Sequence, residues 1–368
     1  MSDVAEAPSR LLSVDALRGF DMFWILGVEQ LAETIAKAVN QPWIEPYTGQ
    51  LVHASWEGFH VLDLVFPLFV FISGVSSVFS VRRSIEKSGR WATVRKIFVR
   101  AVLLFALGIL YNHGLTHGFE EVRIMGVLQR IALCSFFTGL AVCFLRARYR
   151  ALLFVALLVG YWYVMTTVAV PGVGVGHFEE GHNLADYLDR VYLPLHKFVG
   201  DHDPEGLLST FPAIATCLLG SLAGVFLRAE RFRPFVKVVA LLLGGAAMAG
   251  LGWAWNLEFP VIKKIWTSSY VLVAGGYSLA LLGLFYGLID VRGWSWWAKP
   301  FIWIVSNAIV LYLSTEFIAY GAIANALVGG PIAAAWGVWG PVLIAAVSVL
   351  LAVLLARVLY VRKIFLRV

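Results

Sequence analysis

The chain has 368 residues, of which 60% are hydrophobic and 14% charged, with a formal net charge of +6. A soluble domain carries about a quarter charged residues, so this composition excludes a soluble globular protein and indicates a polytopic membrane protein. The basic residues are spread over short connections, which argues against nucleic-acid binding, and Cys134, Cys143 and Cys217 all lie in apolar segments, which argues against a disulfide framework or a metal site.

A membrane-crossing helix needs roughly 20 apolar residues. That length predicts ten spans, at about 12–35, 60–81, 97–113, 124–145, 151–170, 207–227, 235–254, 268–289, 299–318 and 337–358. The start, MSDVAEAPSR, lacks the basic stretch of a cleavable signal peptide. The Gly- and Ala-rich stretch 320–336 reads as a short re-entrant piece or an extension of a neighbouring span. The fold expected is therefore all-α, a helical membrane bundle forming a single domain over 1–368. One set of connections is strongly basic, from Arg82, Arg83, Lys87, Arg90, Arg95, Lys96 and Arg100 through Arg146, Arg148 and Arg150 to Arg228, Arg231, Arg233 and Lys237. The positive-inside rule places that set, and both termini, in the cytoplasm. The longest loop of the other side, about 171–206, carries His177, Glu179, Glu180, His182, Asp186, Asp189, His196, Asp201, His202 and Asp203.

Ionisable residues inside apolar runs are costly and mark functional candidates. In the first span Asp15, Arg18 and Asp21 recur every third residue on one helix face, and Glu29 lies about three turns further on. They read either as an ion-paired helix start or as an anion site built on Arg18. In LVHASWEGFHVLDLVFPLFVFISG (51–74), Trp56, His60 and Asp63 share a helix face by spacing, and His53 precedes it. A histidine beside an acid suits general-base chemistry, and on the residues alone His53 and His60 both qualify. Gln129 and Arg130 lie within the fourth span, where Arg130 needs Asp63, Asp21 or a ligand phosphate. The stretch NLEFPVIKKIWTSSYVL (256–272) groups Asn256, Lys263, Lys264, Trp266 and Ser268, as a sugar site or an ordinary helix entry does. Asn307 and Glu316 read as helix–helix hydrogen-bonding groups.

Together, RLLSVDALRGF (10–20), HASWEGFHVLDLVFPLFVFISG (53–74), RIMGVLQRIAL (123–133), STFPAIATCLLG (209–220) and NLEFPVIKKIWTSSYVL (256–272) resemble the membrane-bound heparan-α-glucosaminide N-acetyltransferase family and its bacterial relatives. The resemblance covers nearly the whole chain. It implies an acetyl-CoA-dependent transmembrane acyltransferase of a bacterial inner membrane, acting on a terminal amino sugar across the bilayer without a metal. The family's active histidine maps onto His53 and its aspartate onto Asp63. A family asparagine aligns with Glu29, an acid that cannot donate the amide's hydrogen bonds. The resemblance thus implies a catalytic set of His53, Glu29 and Asp63. Arg18, Asp15, Arg130 and Gln129 are expected to hold the coenzyme. Trp56, Asn256, Lys264, Trp266 and Ser268 are expected to meet the acceptor, with Asn256, Trp266 and Ser268 as oxyanion donors. Direct transfer and an acetyl-histidine both fit. Exposed spans bearing Gly and Ala allow a homodimer. The alternative from another class is a sugar or organic-anion transporter, motivated by the interior charges and the 320–336 segment.

Overall fold

The computed structural model describes residues 11–39, 48–112 and 118–365. The signal-peptide reading at 1–10 lies outside the described residues, as do Arg10 of the first motif and the tip of the 97–113 segment. Among the described residues the chain is helical and forms no strand, only isolated bridges.

The helices are α1 Leu12–Phe23, α2 Glu29–Val39, α3 Val65–Ser88, α4 Arg90–Tyr111, α5 Val127–Phe144, α6 Ala147–Thr167, α7 Leu184–Tyr192, α8 Thr210–Arg228, α9 Pro234–Trp255, α10 Ser268–Phe285, α11 Lys299–Val305, α12 Ala308–Phe317, α13 Tyr320–Val328, α14 Pro331–Ala335 and α15 Gly340–Val361. Seven helical segments are long and apolar enough to cross a membrane: Val61–Ser88, Val127–Phe144, Ala147–Thr167, Thr210–Arg228, Pro234–Trp255, Ser268–Val291 and Gly337–Val361. The pair Trp296–Val305 and Ala308–Phe317, bent by 68°, is an eighth if counted as one broken span. The protein is thus a polytopic helical membrane protein. The other two expected segments are helical but do not reach that standard. The first is divided by a π turn, Trp24–Val28, with Gly27 at φ 121°. The second, α4, carries Arg90, Arg95, Lys96 and Arg100.

Helix α3 lies at the centre, packed against α1, α5, α8 and α10. Its crossing with α8 is close because both helices present small residues. A Cβ on Gly74 would lie 1.9 Å from the Cys217 carbonyl oxygen, and one on Gly220 would lie 1.9 Å from that of Phe71. Side chains such as Leu68, Phe71, Val75, Leu218 and Val271 fill the core around this crossing. A second cluster, built on Met22, Leu26, Ile304, Leu311 and Ala352, joins the kinked first segment to α11, α12 and α15. The stretch 320–336 is two short helices, α13 and α14, parted by Gly329 and Gly330 and packed on α15. It therefore does not extend a neighbouring helix in line.

Candidate active site

The expectation that Trp56, His60 and Asp63 share one helix face is corrected. Helical structure begins only at Val61, as a 3-10 turn leading into α3, so Trp56 and His60 lie in the preceding loop. The buried Asp63 carboxylate holds that loop folded back, accepting hydrogen bonds from the backbone N–H groups of His60 (2.9 Å) and Ala54 (3.2 Å). These backbone donors satisfy part of an otherwise costly buried charge. The Asp63 carbonyl accepts from the Tyr270 hydroxyl at 2.7 Å, tying the loop to α10.

Asp63 fixes His53. His53 Nδ1 lies 2.8 Å from Asp63 Oδ1, a carboxylate that accepts a hydrogen bond from the ring. His53 Nε2 lies 2.9 Å from Glu29 Oε1. Glu29 comes to this point because Gly27, in a left-handed conformation that favours glycine, turns the chain between α1 and α2. A second loop completes the group. An isolated antiparallel bridge pairs Glu57 with Ile262, and the Gly58 N–H donates to the Val261 carbonyl at 2.8 Å. This stitch brings Lys263 Nζ to 3.2 Å from Asp63 Oδ1 and 3.0 Å from His53 Nδ1. The result is two carboxylates alternating with two nitrogen bases.

The charges bias one another. The Asp63 hydrogen bond, seconded by that of Glu29, raises the His53 pKa above its ordinary value of 6.5, against burial and the Lys263 charge. Burial lowers the Lys263 pKa, against the attraction of Asp63. His53 and Glu29 remain partly open, with side chains 42% and 37% exposed, whereas Asp63 is fully buried. Glu29 also lines an open cavity of about 410 Å³, together with Gln30, Glu33, Thr315 and Tyr320. Glu29 therefore touches His53 on one side and that cavity on the other. Such a set can take a proton from a group in the cavity and stabilise the resulting imidazolium.

The other candidates are placed as follows. His60 Nδ1 lies 2.8 Å from the Val52 carbonyl, and the residue meets Asp63 through its backbone N–H. Trp56 Nε1 donates to the Phe178 carbonyl at 2.9 Å, and Lys264 Nζ lies over the Trp56 ring at 5.4 Å and 2.6 Å from Glu180 Oε1. Asn256 Oδ1 accepts from the Val261 N–H, shaping the turn that presents Lys263. Ser268 Oγ is buried and donates to the Leu158 carbonyl at 2.7 Å. Trp266 is buried, donates to Thr216 Oγ1 at 3.1 Å and stacks beneath the Arg130 guanidinium at 5.0 Å. Trp266 and Ser268 thus direct their donors to the scaffold, and Asn256 contributes its Oδ1 to a turn.

Arg130 is fully buried, but its partners are not Asp63 or Asp21. It donates to Ser209 Oγ and, at 3.3 Å, to the Gly206 carbonyl. The loop before α8 supplies both, which sequence spacing alone does not reveal. Its Nε and Nη1, and both amide atoms of Gln129, are buried with no hydrogen-bond partner among the described residues. Arg18 lies half-buried, 5.8 Å from the Phe69 ring centre, with Asp15 one turn before it. Asp21 is fully buried, and neither carboxylate oxygen has a hydrogen-bond partner among the described residues. Among the described residues no group of His, Cys, Asp or Glu has the arrangement to hold a metal ion.

Residues 10–237 match the family model described as heparan-alpha-glucosaminide N-acetyltransferase, catalytic. The chain belongs to this family. It is 29% identical over 366 residues to the Homo sapiens protein named heparan-alpha-glucosaminide N-acetyltransferase, covering 84% of this chain and 53% of the human one. It is 28% identical over 320 residues to the Mus musculus protein of the same name, covering 72% of this chain and 49% of the mouse one. The chain thus spans about half the length of both relatives. Glu29, His53 and Asp63 fall inside the matched family region, and Lys263 lies beyond it.

Proposed function

We propose that this protein is a transmembrane N-acetyltransferase that moves an acetyl group from cytosolic acetyl-CoA to the amine of an amino sugar across a bacterial inner membrane. The observation that carries this reading is His53 held between Asp63 and Glu29, with Glu29 opening onto a cavity. Family membership supplies the reaction class.

Asp63 orients the ring through Nδ1, so Nε2 faces the working side. The acceptor amine enters the cavity and loses a proton to the Glu29–His53 pair. Its nitrogen attacks the thioester carbonyl, the C–S bond breaks, and the coenzyme thiolate leaves with the proton the pair has taken up. Lys263, about 3 Å from the ring and from Asp63, offsets the carboxylates and limits how tightly His53 holds that proton. The residues present suit the donor. Arg130 Nε and Nη1 and the Gln129 amide, buried with no hydrogen-bond partner among the described residues, would offer polar contacts to its carbonyl and amide groups. Arg18, on α1 ahead of the Gly27 turn, offers a cation to its phosphates.

The test is acetyl transfer by purified protein from acetyl-CoA to glucosamine, read as N-acetylated product. Wild type is expected to form product and His53→Ala to lose it. A wild-type protein that binds no acetyl-CoA, yet exchanges sugar across proteoliposomes, would instead support a transporter.

A further inference from the structure

Helix α4 carries Arg90, Arg95, Lys96 and Arg100 without a single acidic residue. The side it turns toward its neighbours buries Thr93, Leu104 and Gly108. The other side is open and mostly apolar, with Trp91 77%, Phe98 55%, Val99 47% and Leu103 47% exposed. On that side a groove of about 620 Å³ is lined by Trp91, Arg95, Lys96, Val99, Arg100 and Leu103. Lys96 Nζ donates to Ser88 Oγ at 2.9 Å. Arg95 and Arg100 have neither a hydrogen bond nor an ion pair among the described residues.

Arg100 stands about 15 Å along the helix from Arg90. A cation set among exposed apolar side chains of a membrane protein is costly unless an anion meets it. Guanidinium groups bind phosphate through paired N–H donors. Trp91, beside the basic end, has the character of an interfacial belt residue. Val99 and Leu103 continue the groove as an apolar wall, suited to an acyl chain. Two copies of this face meeting each other would bring like charges together, which disfavours a dimer contact here.

We propose that this groove binds one anionic phospholipid, its phosphate held by Arg95 and Arg100, its headgroup beside Lys96, and one chain along Val99 and Leu103. This rests on the fold alone and is read by binding, so it stands apart from the acetyltransferase reading.

The experiment is native mass spectrometry of the full chain, released from nanodiscs of mixed phosphatidylglycerol and phosphatidylcholine. Wild type is expected to retain one phosphatidylglycerol in preference to phosphatidylcholine. Arg95→Gln with Arg100→Gln is expected to weaken that preference by about fivefold per arginine, the usual contribution of one basic residue at an anionic surface. Arg95→Lys with Arg100→Lys keeps most of it, and Arg146→Gln with Arg148→Gln, outside the groove, leaves it unchanged. Equal retention of both lipids by wild type overturns the proposal without reference to any variant. So does an undiminished preference in the double glutamine variant, or a Val99→Cys protein that cross-links between copies in the membrane.

Discussion

His53 is held by two carboxylates at once, and this has a measurable consequence. A general base must be neutral to accept a proton. Because Asp63 and Glu29 raise the His53 pKa above 6.5, the ring is protonated and inactive below that raised value. Acetyl transfer is therefore expected to rise with pH and reach half-maximum above 6.5. Glu29→Gln removes one stabilising charge and should move the midpoint to lower pH. Lys263→Met removes the opposing cation and should move it higher. Midpoints read from kcat against pH for the three proteins check both signs, and two shifts in the same direction contradict the arrangement. His53→Ala should reduce kcat by about 10²- to 10⁴-fold, the usual worth of a positioned base, while the protein keeps its elution profile in detergent.

At this scale the sequence was partly legible. A carboxylate within an apolar run marked Asp63, but spacing grouped it with Trp56 and His60, and only the family resemblance favoured His53 over His60. Lys263 was not singled out, since only the bridge between the 57 and 262 regions decides which of two adjacent lysines turns inward. Asn256, Trp266 and Ser268 look alike in sequence whether they face a substrate or hold a turn, and only the structure reveals the hydrogen bonds they make to backbone and neighbouring helix.

Among the elements, the crossing of α3 and α8 supports the site from below. Asp63 begins the turn into α3, so any widening of this crossing displaces the His53 anchor. Gly74→Ala and Gly220→Ala each drive a methyl group into a backbone carbonyl of the facing helix. Each should cost about 1–3 kcal/mol, as overpacking usually does. Gly244→Ala, on an open face of α9 with nothing within 4 Å, serves as the neutral comparison. Midpoints of SDS-induced unfolding measure the difference, and equal midpoints for all three contradict the close packing. Helix positions were readable from apolar run lengths, because lipid imposes a minimum span. Helix starts were less readable: the i, i+4, i+7 spacing of Trp56, His60 and Asp63 suggested a helix, but Asp63 binds the His60 and Ala54 backbone and delays it to Val61. Likewise, the π turn at Trp24–Val28 leaves little trace in sequence beyond Gly27, yet it aims Glu29 at His53.

For the whole molecule, the asymmetric distribution of Lys and Arg leads us to expect the basic connections and both termini in the cytoplasm. Fluorescent-protein fusions at either end should then both fluoresce, and a dark fusion at one end would require an odd number of spans. That orientation would put Arg18 near the cytosol and the His53 group toward the opposite side, and the reaction we propose would then bring donor and acceptor together from different compartments. Sealed, uniformly oriented vesicles carrying the protein test this most directly. Radiolabelled acetyl-CoA is supplied on the side of the basic loops and glucosamine only on the other. The expected result is N-acetylglucosamine accumulating on the acceptor side with wild type and not with His53→Ala. Product formed only when both substrates share one side, or formed equally by the variant, would contradict it.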